Sequence, residues 1–238
     1  MEEQTMFDPL YLIMTAPVLL LSLWASWRVK SNFEKYSRVR SYSGITGAEA
    51  ARRILQANGL GHVAVEETQG WLSDHYSPNE RVLRLSADVY NSDSVAAIGV
   101  AAHEAGHAIQ HGTRYSIMGL WQALAKPAAI GSNIGIWLIV IGMFMSGAAT
   151  KINGMAIAGV ILFGVAVLFQ IVTLPLEFNA SSRAKKLIYE YGILGREEAY
   201  GVEKVLGAAA MTYVAAALSS ITTLLYFLIR MGLLSSDD

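Results

Sequence analysis

Residues Asn153 to Leu176 read NGMAIAGVILFGVAVLFQIVTLPL, and the next residue is Glu177. The run contains no Lys, Arg, Asp, Glu or His. A helix rises 1.5 Å per residue, so about 20 such residues cross a hydrocarbon layer roughly 30 Å thick. Three further runs have the same character: Pro9 to Trp27, Pro127 to Thr150 and Val205 to Ile229. The whole chain of 238 residues is 53% hydrophobic and only 16% charged. A soluble domain carries about 25% charged residues, so four such runs exclude an ordinary soluble protein. The expectation is a mainly α membrane protein with four transmembrane helices. Glu2, Glu3 and Asp8 precede the first run, with no basic segment and no small-residue cleavage site, so it reads as an anchor and not as a signal peptide.

Charge orients these spans. Of 18 basic residues, eleven lie between Arg28 and Lys126 and five between Arg183 and Lys204, leaving Lys151 and Arg230. The positive-inside rule makes both basic segments cytoplasmic. Four spans then put both termini outside, where Glu2, Glu3, Asp8, Asp237 and Asp238 gather. The expected organisation is a transmembrane anchor at 1–30, a cytoplasmic α+β unit at 31–116 and a hairpin of spans two and three at 117–176. A cytoplasmic helical segment at 177–204 and a fourth span with its tail at 205–238 complete it. A net charge of −1 points away from nucleic acid. The absence of cysteine removes disulfides, thiolate zinc sites and catalytic thiols, so any metal must be held by His, Asp or Glu.

Within the α+β unit, Thr46 followed by Glu49 is a capping box, and Ala50, Ile54 and Leu55 form the apolar face of a helix that ends at Asn58-Gly59. Strand-like pieces follow at His62 to Glu67, Gly70 to Leu72 and Arg81 to Ser86, the last two joined by a turn at Ser77 to Glu80. Asn91-Ser92-Asp93-Ser94 supplies cap residues for an Ala-rich helix from Val95 to about His111.

That helix carries His103-Glu104-Ala105-Gly106-His107, the pattern H-E-x-x-H. Positions i and i+4 share one helical face, so His103 and His107 can bind one zinc ion while Glu104 faces its open side. There Glu104 can act as base toward a zinc-activated water and then as acid toward a leaving amine. The plain alternative is two surface histidines satisfied by hydrogen bonds. Small residues surround the motif, and a mid-helix Gly106 points to close approach by another element. Zinc needs a third protein ligand. His111 is one candidate, although two steps of four residues rotate it about 80° from His103. Glu177 is the other: it is the first charged residue after the third span, on the side of the membrane where His103 lies. Its plain alternative is a carboxylate at the end of a span, reaching for water.

Three blocks of this sequence resemble the YugP-type family of membrane-bound neutral zinc metallopeptidases of bacteria. They are His-Glu-Ala-Gly-His-Ala-Ile-Gln-His at 103–111, Leu-Pro-Leu-Glu-Phe-Asn-Ala-Ser ending at Ser181, and Asp74-His75-Tyr76 followed by Val82 to Ser86. The likeness extends over nearly the whole chain. It implies a multi-span zinc protease, similar in plan to the HtpX-like and CAAX-prenyl-protease gluzincins, with a downstream Glu, here Glu177, as third ligand. In those relatives the ligand Glu is followed by Ala three residues on and Asp four residues on. Ala180 matches and Ser181 does not, which leaves open what orients the histidines. Position 77, often Asp in the closer family, is Ser77 here. The resemblance also draws His75 into the site, near a strand that pairs with extended substrate, as an oxyanion or cleft residue. A surface turn histidine is its plain alternative. Arg183 could pair with a substrate carbonyl or a ligand carboxylate, or serve only as a cytoplasmic anchor.

The function expected is an integral-membrane zinc endopeptidase at the cytoplasmic membrane surface, taking protein or peptide substrates, membrane proteins among them, and set in the lipid bilayer. The alternative is a non-catalytic membrane metal-binding scaffold or partner-binding protein. Transport is disfavoured, because a transport path calls for ionisable residues inside the spans and the four runs hold none.

Overall fold

The computed structural model describes residues 8–146 and 153–234. Glu2, Glu3, Lys151, Asp237, Asp238 and the end of the second uncharged run lie outside the described residues. In chain order the elements are α1 (Pro9–Tyr36), α2 (Gly47–Ala57), β1 (Ala64–Thr68), β2 (His75–Ser77), β3 (Val82–Ser86), α3 (Ala87–Tyr90) and α4 (Val95–Gly112). Then come α5 (Ser116–Ile130), a π-helical turn (Gly131–Gly135), α6 (Ile136–Ser146), α7 (Gly154–Glu190) and α8 (Arg196–Arg230). Among the described residues four helices are long and apolar enough to cross a membrane: Pro9–Tyr36, Ser116–Ser146, Gly154–Glu190 and Arg196–Arg230. Each outruns its uncharged stretch at one end or both.

One compact unit comprises the chain to Trp24, Leu120–Leu174 and the chain from Tyr213 onward. Here Gly135 and Gly142 let helix backbones meet: a Cβ at Gly135 would stand 2.9 Å from the Phe163 nitrogen, and one at Gly142 2.5 Å from that of Ala156. Small residues are what membrane helices use for such approach. Asp8 accepts a hydrogen bond from the Tyr226 hydroxyl at 2.9 Å and pairs with Arg230 at 3.1 Å, tying the start of α1 to the end of α8.

The second unit comprises Ala25–Gly119 and Pro175–Thr212. Helix α2 starts with the expected reciprocal cap: Glu49 N–H donates to Thr46 Oγ1 at 3.3 Å and Thr46 N–H donates to Glu49 Oε2 at 2.9 Å. Ala50, Ile54 and Leu55 are buried beneath it. The sheet has the order β1-β3-β2, with β1 parallel and β2 antiparallel to β3. Gly70 to Leu72 is not a strand. Gly70 has φ 105° and Leu72 φ 52°, in the left-handed region that no strand tolerates. The middle strand in sequence is His75–Ser77, and the turn at Ser77 to Glu80 joins it to β3. Asp74 accepts from the N–H of Ser86 at 2.8 Å and from its hydroxyl at 3.0 Å, clamping the start of β2 to the end of β3.

Helix α4 runs through the middle of this unit. Ser94 caps it, its hydroxyl accepting from the Ala97 N–H at 3.2 Å. Ala101, Ala102, Ala105 and Ala108 are buried, and their size leaves room for neighbouring backbone. At Gly106 a Cβ would lie 2.8 Å from the Ala180 carbonyl oxygen and 3.3 Å from the Ala180 Cα. Neither atom can give way without moving α7. Replacing Gly106 with Val is therefore expected to destabilise the protein by about 1–3 kcal/mol, against a propensity gain of only a few tenths. A lowered unfolding temperature in detergent, together with reduced metal content, checks this; unchanged values for both would refute it.

Helix α7 does not stop where its uncharged run ends. Pro175 removes one donor, but Phe178 to Glu190 contains no further breaker and the helix continues to Glu190. The continuation carries Glu177, Asn179, Ser181 and Arg183 into the second unit.

Candidate metal centre

Helical spacing puts His103 and His107 one turn apart on α4, their ring centroids 4.8 Å apart and their planes at 87°. Both rings turn toward the same carboxylate oxygen. His103 Nε2 lies 3.1 Å and His107 Nε2 3.5 Å from Glu177 Oε2. Two ligand atoms each about 2.05 Å from a tetrahedral zinc are about 3.3 Å apart; the two separations to Glu177 bracket that value, and all three ligand atoms lie within 4.8 Å of one another. The three residues fit zinc in chemistry as well: two imidazoles and one carboxylate leave a fourth position open, as catalytic sites do. Among the described residues this is the group of His, Asp and Glu side chains close enough to share a metal ion. His103, Glu104 and Glu177 are each 8% exposed.

Both rings are held from behind. His103 Nδ1 lies 3.1 Å from Ser181 Oγ and His107 Nδ1 lies 3.0 Å from Gln110 Oε1. Were each Nδ1 to donate its proton to that oxygen, each Nε2 would offer its lone pair to a metal. Ser181, which departs from the Asp of the HtpX-like pattern, thus still places an acceptor oxygen behind His103. Glu104 sits on the same helix. Burial pushes its carboxyl above the ordinary range, opposed by positive charge on His103 and His107 and reinforced by the negative charges of Glu177 and Asp74. A raised carboxyl is suited to accept a proton and return it near neutral pH.

The model of the family described as "Putative neutral zinc metallopeptidase" matches residues 11–232. The chain belongs to this family. It is 50% identical over 218 residues to the "Putative membrane protease YugP" of Bacillus subtilis (strain 168), covering 92% of this chain and 95% of that protein. No solved structure matches it. Membership of a zinc metallopeptidase family, with four helices long and apolar enough to cross a membrane, describes a membrane protein of the zinc protease type.

In this member of the metallopeptidase family the remaining candidates fall at different places. His111 is outside the three-residue group: its Nδ1 lies 2.9 Å from the Tyr76 hydroxyl, so it joins the end of α4 to β2. His75 is exposed, and its Nδ1 donates to the Ser73 carbonyl at 2.8 Å. Arg183 is half-buried. Its Nε donates to Asn179 Oδ1 at 2.8 Å and its guanidinium lies 5.9 Å from the Tyr115 ring centre. Sequence reading passed over Gln110 and Asn179. Gln110 is fully buried, and its amide donates to the Leu176 carbonyl at 2.8 Å and to Asn179 Oδ1 at 3.1 Å. The available signal was its position three residues after His107, on the same face of α4.

Proposed function

We propose that the chain is an integral-membrane zinc-dependent endopeptidase whose site opens to the cytoplasmic surface of the membrane. The observation that carries this reading is the convergence of His103 Nε2 and His107 Nε2 on Glu177 Oε2, with the buried Glu104 beside them. The family relationship supports it, and the concentration of basic residues between Arg28 and Lys126 and between Arg183 and Lys204 supports the cytoplasmic face.

In this reading His103, His107 and Glu177 hold the metal. Zinc supplies Lewis acidity there, polarising a peptide carbonyl and making water a stronger acid. Glu104 takes the proton from water at its carboxylate and returns it to the departing amide nitrogen, so no covalent bond to the protein forms. Ser181 and Gln110 keep the two rings turned toward the metal. His75, the first residue of the edge strand β2, lines the path of an extended substrate, and Arg183 reaches the substrate backbone or serves as an anchor.

The test is cleavage of an unfolded model protein by detergent-purified, zinc-loaded enzyme, with loss of cleavage on chelation and recovery on zinc return. Failure of zinc to restore activity in a still-folded protein would reject the reading. A pH dependence accompanies it. In the protein freed of metal by a chelator, burial disfavours the charged His107 ring, but Glu177 and Glu104 outweigh this and hold it up to about 9. The ring is then protonated at neutral pH and zinc must displace that proton. Apparent zinc affinity is expected to climb by about tenfold per pH unit as pH rises toward about 9 and to level off above it. A competition titration against a chelator across that range checks this, and a flat profile would refute it.

A further inference from the structure

Gln110 is a fully buried amide on an Ala- and Gly-rich helix, and every polar atom of its side chain has a partner. Burying an amide without partners costs several kcal/mol, so such a residue is tolerated only where its bonds are specified. The bonds here run in two directions. The oxygen faces His107 Nδ1 at 3.0 Å, while the nitrogen donates at 2.8 Å to the carbonyl of Leu176 and at 3.1 Å to Asn179 Oδ1. Leu176 immediately precedes Glu177, and Pro175 before it has no N–H of its own.

The amide orientation is fixed by chemistry. The Leu176 carbonyl can only accept, so the end of Gln110 that faces it must be the NH2, and the end that faces His107 must be the oxygen. An acceptor at that place obliges His107 to carry its proton on Nδ1. We propose that Gln110 is the positioning residue of the metal centre: it sets the Nδ1–H tautomer of His107, leaving Nε2 for the metal, and it pins α7 beside Glu177 with the same side chain. One residue thus joins a ligand on α4 to a ligand on α7. The inference rests on the reading of His103, His107 and Glu177 as a zinc site. Arg183 enters only through Asn179, whose Oδ1 it shares with Gln110.

The experiment measures zinc affinity by chelator competition in the full-length, detergent-purified protein. The proteins compared are the wild type, Gln110→Ala, Gln110→Glu and Asn179→Ala. Loss of a partner behind a ligating histidine weakens metal binding by about 10–100-fold, and that loss is expected for Gln110→Ala. Gln110→Glu keeps an acceptor for His107 Nδ1–H but turns a second acceptor toward the Leu176 carbonyl and Asn179 Oδ1, so it is expected to recover part of the affinity lost in Gln110→Ala. Asn179→Ala leaves the bond to His107 in place and is expected to bind nearly as the wild type does. Wild-type affinity in Gln110→Ala would overturn the proposal. So would equal loss in Gln110→Ala and Gln110→Glu, which would reduce Gln110 to a packing contact between helices. Should these variants fail to fold, 15N spectra of histidine-labelled, zinc-loaded wild type decide the matter. A protonated Nδ1 on His107 supports the proposal and a protonated Nε2 overturns it. A folded wild type that binds no zinc would remove the metal reading, and this inference with it. Zinc binding without peptide cleavage would leave Gln110 in its role and remove only the peptidase.

Discussion

Glu104→Gln is expected to bind zinc as the wild type does and to hydrolyse peptide bonds about 10²–10⁴-fold more slowly, the span over which positioned acid–base groups act. The two side chains have the same shape, so the surroundings of α4 are preserved. The amide cannot take a proton from water or return one to the leaving nitrogen. Stability should not suffer, because burial already pushes the Glu104 carboxyl above its ordinary range and a neutral amide is easier to bury. Parallel purification of both proteins, with zinc content and cleavage of one unfolded substrate measured together, separates enzyme from contaminant. Equal rates in the two would show that Glu104 is not the base, and loss of zinc from the variant would place Glu104 among the ligands instead.

Glu177→Ala is expected to lose the metal, by more than the roughly 10–100-fold that follows loss of a partner behind a ligand. The carboxylate oxygen at 3.1 Å from His103 Nε2 and 3.5 Å from His107 Nε2 is the point on which both rings converge, and alanine leaves two ligands where zinc needs at least three. His111→Ala is the companion measurement. The His111 ring faces the Tyr76 hydroxyl and not the cluster, so zinc affinity should stay near the wild-type value. The reverse pattern, with zinc retained in Glu177→Ala and lost in His111→Ala, would make His111 the third ligand.

The four apolar helices, the caps at Thr46 and Ser94 and the pairing of His103 with His107 on one face of α4 were all legible in the sequence. Each depends on interactions within a few residues: transfer of a continuous run to hydrocarbon, hydrogen bonds between a cap and the first turn, and the 3.6-residue period of a helix. The strand at Gly70 to Leu72 was misplaced because short apolar pieces carry little periodicity. The left-handed backbone at Leu72 and the pairing of His75–Ser77 with β3 are decided by the sheet.

Helical rotation, the order of the spans and the family resemblance favoured Glu177 over His111 in the sequence, but the contact itself was beyond local reading. Glu177 is 74 residues from His103, and only the packing of α7 on α4, with Gly106 against the Ala180 backbone, brings them to 3.1 Å. Ser181 behind His103, and the bonds from Gln110 to Leu176 and Asn179, depend on the same contact, since a hydrogen bond across two helices is specified by their relative rotation and separation, which no single helix encodes. The sequence alone determined which segments are long and apolar enough to cross lipid and which residue types could hold a metal, because composition and period suffice for both. The tertiary structure decided how closely Glu177 approaches the histidines and which side chain stands behind His103, because those depend on how α4 and α7 pack.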